Sequence, residues 1–425
     1  MKLMVVGGGG REHAIIRKLK DNPEVEKIYA LPGNGGIAAD AECVSISATD
    51  IDGIARFARE NMIDFAVVAP DDPLAMGCVD KLHAIGVPCF GPEAKAAQIE
   101  ASKVFAKDLM KKYNIPTAKY ETFSDPDAAE AYALSGSFPV VVKADGLALG
   151  KGVLICQNAE EAKDAIKAIM LDKQFGASGS RVVIEEFLEG PEVSVLAFTD
   201  GKVVKPMVSS MDHKRAHDND EGLNTGGMGT IAPNPYYTDD VAERCMNEIF
   251  LPTIAAMNAE GRPFRGCLYF GLMITADGPK VIEYNCRFGD PETQVVLPLL
   301  KSDLLSIMRA CELGTLAATP VEFSDGAACC VILASGGYPE KYEKGKPIRM
   351  DDAEDAENVR VFHSGTALKE TTLYTNGGRV LGVTATAPDL RSAVRDAYAA
   401  TEKIEFEGMF MRHDIGARAL KIIEE

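Results

Sequence analysis

Across residues 1–100, short apolar runs alternate with segments of helical spacing. That alternation commits the start of the chain to a parallel sheet with helices on its faces. Residues 2–6 read as a first strand, Gly7–Gly10 as a turn, and 11–20 as a helix with Ala14, Ile15 and Leu19 on one side. A second strand at 27–31 stops at Pro32-Gly33. A helix at 54–61 and a strand at 65–69 follow, then a helix carrying Leu82 and Ile85, and a further strand from residue 88.

Beyond residue 100 the pattern changes to mixed α and β. The spacing predicts a helix over 101–113 with Lys103 and Lys107 one turn apart, closed by 114–116. Strands are expected at 139–144, 153–156 and 181–186, with a loop at 146–152 and a helix at 159–171. Further strands are expected at 192–199, 203–208, 266–274 and 280–284, and helices at 239–258 and 303–312. The last hundred residues open on an apolar strand, 327–334, with turns at Gly336-Gly337 and Asn376-Gly377-Gly378. Their strongest helix is 390–403, N-capped by Asp389, with Ala393, Val394, Ala397, Tyr398 and Thr401 on one face. No solenoid-type repeat is present.

The 425 residues allow two to four domains, at about 100–200 residues each. A formal net charge of −18 argues against nucleic acid or an anionic membrane as partner. It leaves phosphorylated small molecules open, because a few lysines and backbone N–H groups suffice to hold a phosphate. The ten cysteines contain no C-x-x-C pair and no zinc spacing, so reduced, buried thiols in a reducing compartment are expected. The opening apolar run is too short for a signal peptide, and no stretch approaches the ~18 apolar residues of a membrane helix. A cytoplasmic protein is expected.

Gly7–Gly10 sits between a strand and a helix, where backbone N–H groups and the helix dipole hold phosphates. The dinucleotide fingerprint fails there: read from Gly7 its third glycine is Glu12, read from Gly8 it is His13, and Pro32-Gly33 stand where a ribose-binding acid belongs. A nicotinamide oxidoreductase is therefore disfavoured, and the loop is either a phosphate site or a tight turn. The segment 143–152 is not a P-loop, since Asp145 and Gly152 occupy the first-glycine and Ser/Thr positions. It reads as a glycine-rich hairpin with two lysines, a lid over a polyphosphate or a solvated turn. Lys143, ending the run Pro139–Lys143, has the better claim to a role than Lys151.

Glu283 and Asn285 alternate by two along a strand, so both face one side. Two oxygen ligands completed by phosphate oxygens suit Mg²⁺, and Arg287 two residues on suits a transferring phosphoryl group. Asp290-Pro291-Glu292 also reads as an N-cap, N1 proline and acidic first turn, so Asp290 is a cap, a substrate contact or both. The segment 212–229 is charged and glycine-rich, fails as an EF-hand, and is either a surface loop or a backbone approach to a ligand.

In order along the chain, GGGGREHA, LPGNGG, KADGLALGKGV, DHKRAHDNDEGLNTGGMGTIAP, EYNCRFGDPETQ and RHDIGARA resemble the phosphoribosylamine–glycine ligases, the glycinamide ribonucleotide synthetases of purine biosynthesis. The resemblance spans nearly the whole chain and implies an α/β and α+β multidomain fold. It implies a Rossmann-like N-terminal domain over 1–101, a two-lobed ATP-grasp core over 102–324 with a small lid lobe at about 118–190, and a small mixed α/β C-terminal domain over 325–425.

The same resemblance implies ATP between the lobes, with Lys103, Lys143, Gly150, Lys151 and Gly152 near phosphates. Glu185, Phe187 and Leu188 would line adenine, and Glu192 would hold ribose. Glu283 and Asn285 would bind Mg²⁺ or Mn²⁺. Asp212, Lys214, Thr225, Gly226, Asp290 and Glu292 would face glycine and the amine, with Lys143, Asp212 and Arg287 catalytic. Gly9, Gly10, Arg11, Glu12, Asn34 and Gly35 would hold the phosphoribosyl group. Two departures stand out. Pro70-Asp71-Asp72-Pro73-Leu74 carries Asp71 where the usual acid is one methylene longer, and 268–273 contains no third metal carboxylate.

The implied reaction activates the glycine carboxylate as glycyl phosphate at the expense of ATP. Phosphoribosylamine then displaces phosphate, and no protein nucleophile is needed. Expected partners are these small molecules, with no nucleic acid, no membrane and a monomeric chain. The rivals are an ATP-grasp ligase or carboxylase for another acid, the disfavoured oxidoreductase, and a nucleotide-binding module without catalysis.

Overall fold

The strand Lys2–Gly7 is apolar at every position from Leu3 to Val6, and all four side chains are fully buried. That is the pattern of a parallel strand covered on both faces. Met4 and Val6 enter one hydrophobic core and Leu3 and Val5 another, following the two-residue alternation of a strand. The protein's structure, a computed structural model, describes residues 1–147, 152–174, 176–354 and 356–424. Its first sheet is five-stranded and parallel, in the order Glu42–Cys43, Lys27–Pro32, Lys2–Gly7, Phe65–Val68, Cys89–Phe90.

Three further sheets of four or more strands are antiparallel, as are three two-stranded ones among the described residues. One runs Tyr120–Phe123, Val182–Glu186, Val140–Ala144, Val153–Cys156, with its own small core that includes Val142, Ile166 and Ile184. A central sheet runs Val204–Pro206, Glu192–Thr199, Gly266–Thr275, Gly278–Asn285. The last sheet runs Met211–Asp212, Gly229–Ala232, Ala327–Ser335, Arg379–Ala387, Val359–His363, with Met409–Phe410 paired to Ala327–Ser335.

Two of those strands precede residue 324, so the C-terminal sheet is not built from the last hundred residues alone. They pin both ends of the charged segment 212–229, which folds back as the hairpin Arg215–His217 and Glu221–Asn224 instead of a disordered loop.

Local chemistry moves several expected boundaries. The helix expected over 101–113 is found as Lys103–Lys112, separated at Ser102 from a preceding helix, Ala94–Ala101. Ser102 leaves helical geometry (φ −132°) and its hydroxyl caps the second helix at Phe105 N. The helix expected at 239–258 runs as Asp239–Arg244 and Leu251–Ala259 through a wider turn, Cys245–Phe250. Pro252 has no N–H to give the preceding turn. In Leu390–Thr401, Asp389 accepts from Ser392 N at 2.8 Å, and the buried face is Leu390, Ala393, Ala397, Ala400 and Thr401. All ten cysteines are free, and all but Cys43 are buried. Among the described residues no helix is long and apolar enough to cross a membrane.

The first and last sheets are fastened through the peptide of His363. Its N–H donates to His13 Nδ1 (2.8 Å), and its carbonyl accepts from Asn34 Nδ2 (2.7 Å). Because His13 Nδ1 is an acceptor, Nε2 carries the proton and faces Asp40 Oδ2 at 3.0 Å. Burial lowers the proton affinity of His13, and it takes His363 down to about 3 and His213 to about 4.

Two outcomes follow for stability. Phe270 packs 4.3 Å from the Phe250 ring and edge-on to Tyr284, so Phe270→Ala should cost about 3–5 kcal/mol in urea unfolding. Between the ordinary histidine value of 6.5 and these lowered values, the unfolded chain binds more protons than the folded one. Stability therefore falls with falling pH, by up to about 1.4 kcal/mol per pH unit for each histidine. Urea midpoints at pH 7 and pH 5 check this; equal midpoints would contradict it.

Candidate nucleotide and substrate site

Lys143 lies on Val140–Ala144 and Glu185 on the neighbouring Val182–Glu186, two positions apart across the antiparallel register. Lys107 reaches the same carboxylate from the helix Lys103–Lys112. Lys107 Nζ is 3.1 Å from Glu185 Oε2, and Lys143 Nζ is 3.0 Å from Oε1 without the alignment of a hydrogen bond. All three side chains are buried.

Remaining protons go to or toward the strand Gly278–Asn285. Lys143 donates to Ile282 O (3.2 Å), and Lys107 to Thr117 Oγ1 (2.7 Å), which donates to Val281 O. Burial lowers Lys107 to about 8 against the pull of Glu185. Lys103 donates to Gly146 O at 2.7 Å, and burial lowers its proton affinity as well. Two ammonium groups thus share one carboxylate, with Lys103 close enough to Lys143 to feel its charge, a cationic cluster suited to an anion.

Phe187 and Leu188 are half-buried on the connector after Val182–Glu186. Glu192 is exposed and 3.3 Å from Lys214 Nζ, which also lies 3.7 Å from Glu283. Gly152 accepts from Ala144 N at 2.8 Å. Gly150 and Lys151 lie outside the described residues.

Glu283 and Asn285 pair with Gly271 and Tyr269 in unbroken register, so they share a face. Burial works to raise the Glu283 carboxyl, but Lys214, Lys143 and Lys103 outweigh it and keep it lowered, hence anionic. Asn285 Nδ2 donates to Glu100 Oε1 (3.1 Å) and Tyr284 O (3.0 Å). Those acceptors fix the amide nitrogen, so Oδ1 is the branch that remains to bind a cation. One carboxylate and one amide oxygen suit a hard divalent ion that keeps several water or phosphate ligands. Among the described residues no cluster of three His, Cys, Asp or Glu is placed to hold a metal by itself.

Arg287 is paired with Glu100 at 3.1 Å and donates to Phe288 O. Burial opposes its charge, but Glu100 and Asp71 prevail and raise its proton affinity. Asp71, the shortened acid, thus bears on Arg287 through space.

Asp290 is not a helix cap. The helix here is Thr293–Leu299, with Glu292 at the cap position, and the Asp290 carboxylate instead takes one partner four residues on and two from distant segments. These are Gln294 Nε2 (2.8 Å), Arg11 N (3.4 Å) and Arg379 Nη2 (3.5 Å). Burial pushes the Glu292 carboxyl up. Desolvation, then the charge of Glu292, pushes Asp212 up well beyond the usual carboxylate range.

The amides of the Gly7–Gly10 turn are not all free, as a bare phosphate cradle would require. Gly9 N donates to Glu12 Oε2 (2.5 Å), and Glu12 Oε1 takes Arg11 Nε (2.6 Å). Close packing also requires the glycines: a Cβ on Gly8 would lie 2.3 Å from Gly33 O, and one on Gly10 2.5 Å from Gln294 Nε2. Asn34 Nδ2 donates to Gly8 O (2.9 Å), and Gly35 N donates to Thr366 O. Thr225 N and Oγ1 both donate to Lys214 O, holding the turn at Gly226.

The structure adds residues that sequence reasoning did not place in the site: Glu100, Lys107, Thr117, Gln294, Tyr338 and Arg379. Lys107 alone carried a signal, its one-turn spacing from Lys103. Gln294 meets Asp290 four residues back, and Glu100, Thr117, Tyr338 and Arg379 meet their partners through the tertiary fold.

Comparison with known proteins follows this geometry. The chain matches the phosphoribosylglycinamide synthetase N domain over residues 1–100, the ATP-grasp (A) domain over 101–293 and the C domain over 328–418. It is 47% identical to a phosphoribosylamine–glycine ligase of Caldanaerobacter subterraneus, covering 98% of this chain and 100% of that one. A ligase of the same name from Halalkalibacterium halodurans is 48% identical over 99% of this chain and 97% of that one. The crystal structure of phosphoribosylamine–glycine ligase from Thermotoga maritima superposes with a TM-score of 0.85 at 35% identity, covering 98% of this chain and 100% of that one. The biotin carboxylase domain of a Hydrogenobacter thermophilus 2-oxoglutarate carboxylase, solved with MgADP and bicarbonate, gives 0.74 at 18% identity over 96% and 91%. That last likeness is one of fold. With matches to all three domains and near-complete coverage by these relatives, the chain belongs to the phosphoribosylglycinamide synthetase family of ATP-grasp ligases.

Proposed function

We propose that this protein joins glycine to 5-phosphoribosylamine, consuming ATP and releasing glycinamide ribonucleotide, ADP and phosphate. The observation that carries this reading is the excess of buried lysine charge at Glu185, set against the Glu283–Asn285 face by hydrogen bonds to the same strand.

In this reading ATP lies between the lid sheet and the central sheet. Adenine rests against Phe187 and Leu188, with Glu185 Oε1 retaining acceptor capacity, and the ribose lies by Glu192. Lys103, Lys143 and the 150–152 turn neutralise phosphates. Glu283 and Asn285 Oδ1 hold Mg²⁺ or Mn²⁺, which when bound shields charge on the phosphate oxygens. A glycine carboxylate oxygen attacks the γ-phosphorus, the bond to ADP breaks, and glycyl phosphate forms. Arg287, kept charged by Glu100, offsets the negative charge of the transferring group.

The amine of phosphoribosylamine then attacks the acyl carbon, and the C–O bond to phosphate breaks. The amine proton passes to Asp212, whose proton affinity is raised by desolvation and then by the charge of Glu292. Lys214, Thr225, Gly226, Asp290 and Glu292 border the two acceptor substrates. The turn Gly9–Glu12 with Asn34 and Gly35 borders the phosphoribosyl group, whose phosphate must displace the Glu12 carboxylate from Gly9 N and Arg11 Nε or share those donors with it. We divide the chain at 1–101, 102–324 with a lid lobe near 118–190, and 325–425. Every residue named lies on one chain, so the reading requires no second subunit.

The test is ADP release with each substrate omitted in turn, and with bicarbonate in place of glycine. Release should need both glycine and the amine for sustained turnover. Lys143→Ala and Glu283→Ala should each reduce it by at least about 10³-fold, the scale of lost charge stabilisation on a transferring group. Near-normal turnover in both variants, or turnover with bicarbonate alone, would contradict the reading.

A further inference from the structure

Arg379 opens the strand Arg379–Ala387, and the register shifts beside it, where consecutive Leu333 and Ala334 pair with Leu381 and Arg379 and leave Val380 of its own strand as the extra residue. Irregularities of this kind re-aim side chains at sheet ends. Its Nη1 donates to Gly226 O at 2.8 Å, Asp290 O at 2.8 Å and, more weakly, Gly227 O at 3.4 Å, while Nη2 lies 3.5 Å from Asp290 Oδ1. The N–H of Gly226 donates to Tyr338 OH at 3.1 Å. Two side chains of the C-terminal segment therefore hold both polar edges of one glycine in a different segment.

The fit leaves no slack. A Cβ on Gly226 would lie 2.9 Å from Arg379 Cζ, and one on Gly227 would lie 2.6 Å from Asp212 Oδ1 and 2.5 Å from Pro291 Cδ. The guanidinium thus fixes the separation between the 225–227 turn, which leans on Asp212, and the 290–292 turn, which carries Asp290 and Glu292. Nη1 bonds both turns while Nη2 approaches the Asp290 carboxylate, a combined reach that the single nitrogen of a lysine ammonium does not match.

We propose that Arg379, supported by Tyr338, is a positioning residue of the ligation: it sets the spacing of the two turns that border the acid and the amine and has no part in holding ATP. This inference rests on the ligase reading of the site. No residue that Arg379 touches belongs to the lysine–glutamate group assigned to the nucleotide.

The test compares Arg379→Ala, Arg379→Lys and Tyr338→Phe with the unaltered protein. Steady-state kinetics in phosphoribosylamine and glycine are measured beside equilibrium titration with a non-hydrolysable ATP analogue and Mg²⁺. Arg379→Ala should lower kcat/KM for phosphoribosylamine by about 10²-fold, the scale of a misplacement of about 1 Å, with nucleotide affinity unchanged. Arg379→Lys should recover part of the loss, and Tyr338→Phe should show a smaller loss with the same selectivity. If Arg379→Ala does not fold, Tyr338→Phe decides by that selectivity.

Kinetics unchanged in the variant that decides, or nucleotide affinity falling in parallel with kcat/KM, would overturn the role of Arg379. Unaltered protein that releases no glycine-dependent ADP would overturn the ligase reading, and this inference with it.

Discussion

Two lysines share one carboxylate in the buried seam between the lid sheet and the central sheet. Lys107 and Lys143 both contact Glu185, and burial already drives Lys107 down to about 8. A buried ammonium is tolerated only when its protons are satisfied. Here backbone carbonyls of Gly278–Asn285 complete the set, directly at Ile282 and through Thr117 at Val281. That strand also carries Glu283 and Asn285. One length of backbone therefore fixes the cationic side of the crevice and its candidate metal ligands together, and the uncompensated positive charge makes an anionic ligand the natural completion of the seam.

The other half of the site is assembled from three distant parts of the chain. Residues 9–12 and 34–36 come from the parallel sheet, 212–229 and 290–294 from the core, and 338, 363–366 and 379 from the C-terminal segment. Asp290 shows how closely they are interlocked, with contacts to Arg11, Gln294 and Arg379. Since Met211–Asp212 and Gly229–Ala232 are strands of the C-terminal sheet, the charged hairpin between them cannot move independently of it. In the proposed ligase the C-terminal segment thus belongs to the wall that faces the substrates as well as to the fold.

Much of this was legible in the sequence because it is local or periodic. The βα alternation of residues 1–90, the strand phase of Glu283 and Asn285, and the Asp389 cap all follow from nearest neighbours. What failed was also local reasoning, applied where distant partners decide. Asp290-Pro291-Glu292 has the letters of a helix start, yet a glutamine, an arginine amide and a guanidinium claim the aspartate. The helix expected at 101–113 starts only at Lys103, because Ser102 serves both as its cap and as a donor to Asp145. Glu100, Tyr338 and Arg379 gave no signal, since each acts on residues more than a hundred positions away or on backbone, which has no letter. The glycines at 7–10 were legible as a turn, but their tight packing against Gly33 and Gln294 was not.

A crystal structure with a non-hydrolysable ATP analogue and Mg²⁺ tests the central claim most directly. The account predicts adenine density between the strands Val182–Glu186 and Gly278–Asn285, against Phe187 and Leu188, with the ion bridging phosphate oxygens to Glu283 and Asn285. Nucleotide bound at the Gly7–Gly10 turn, or an ion bound away from Glu283, would contradict it.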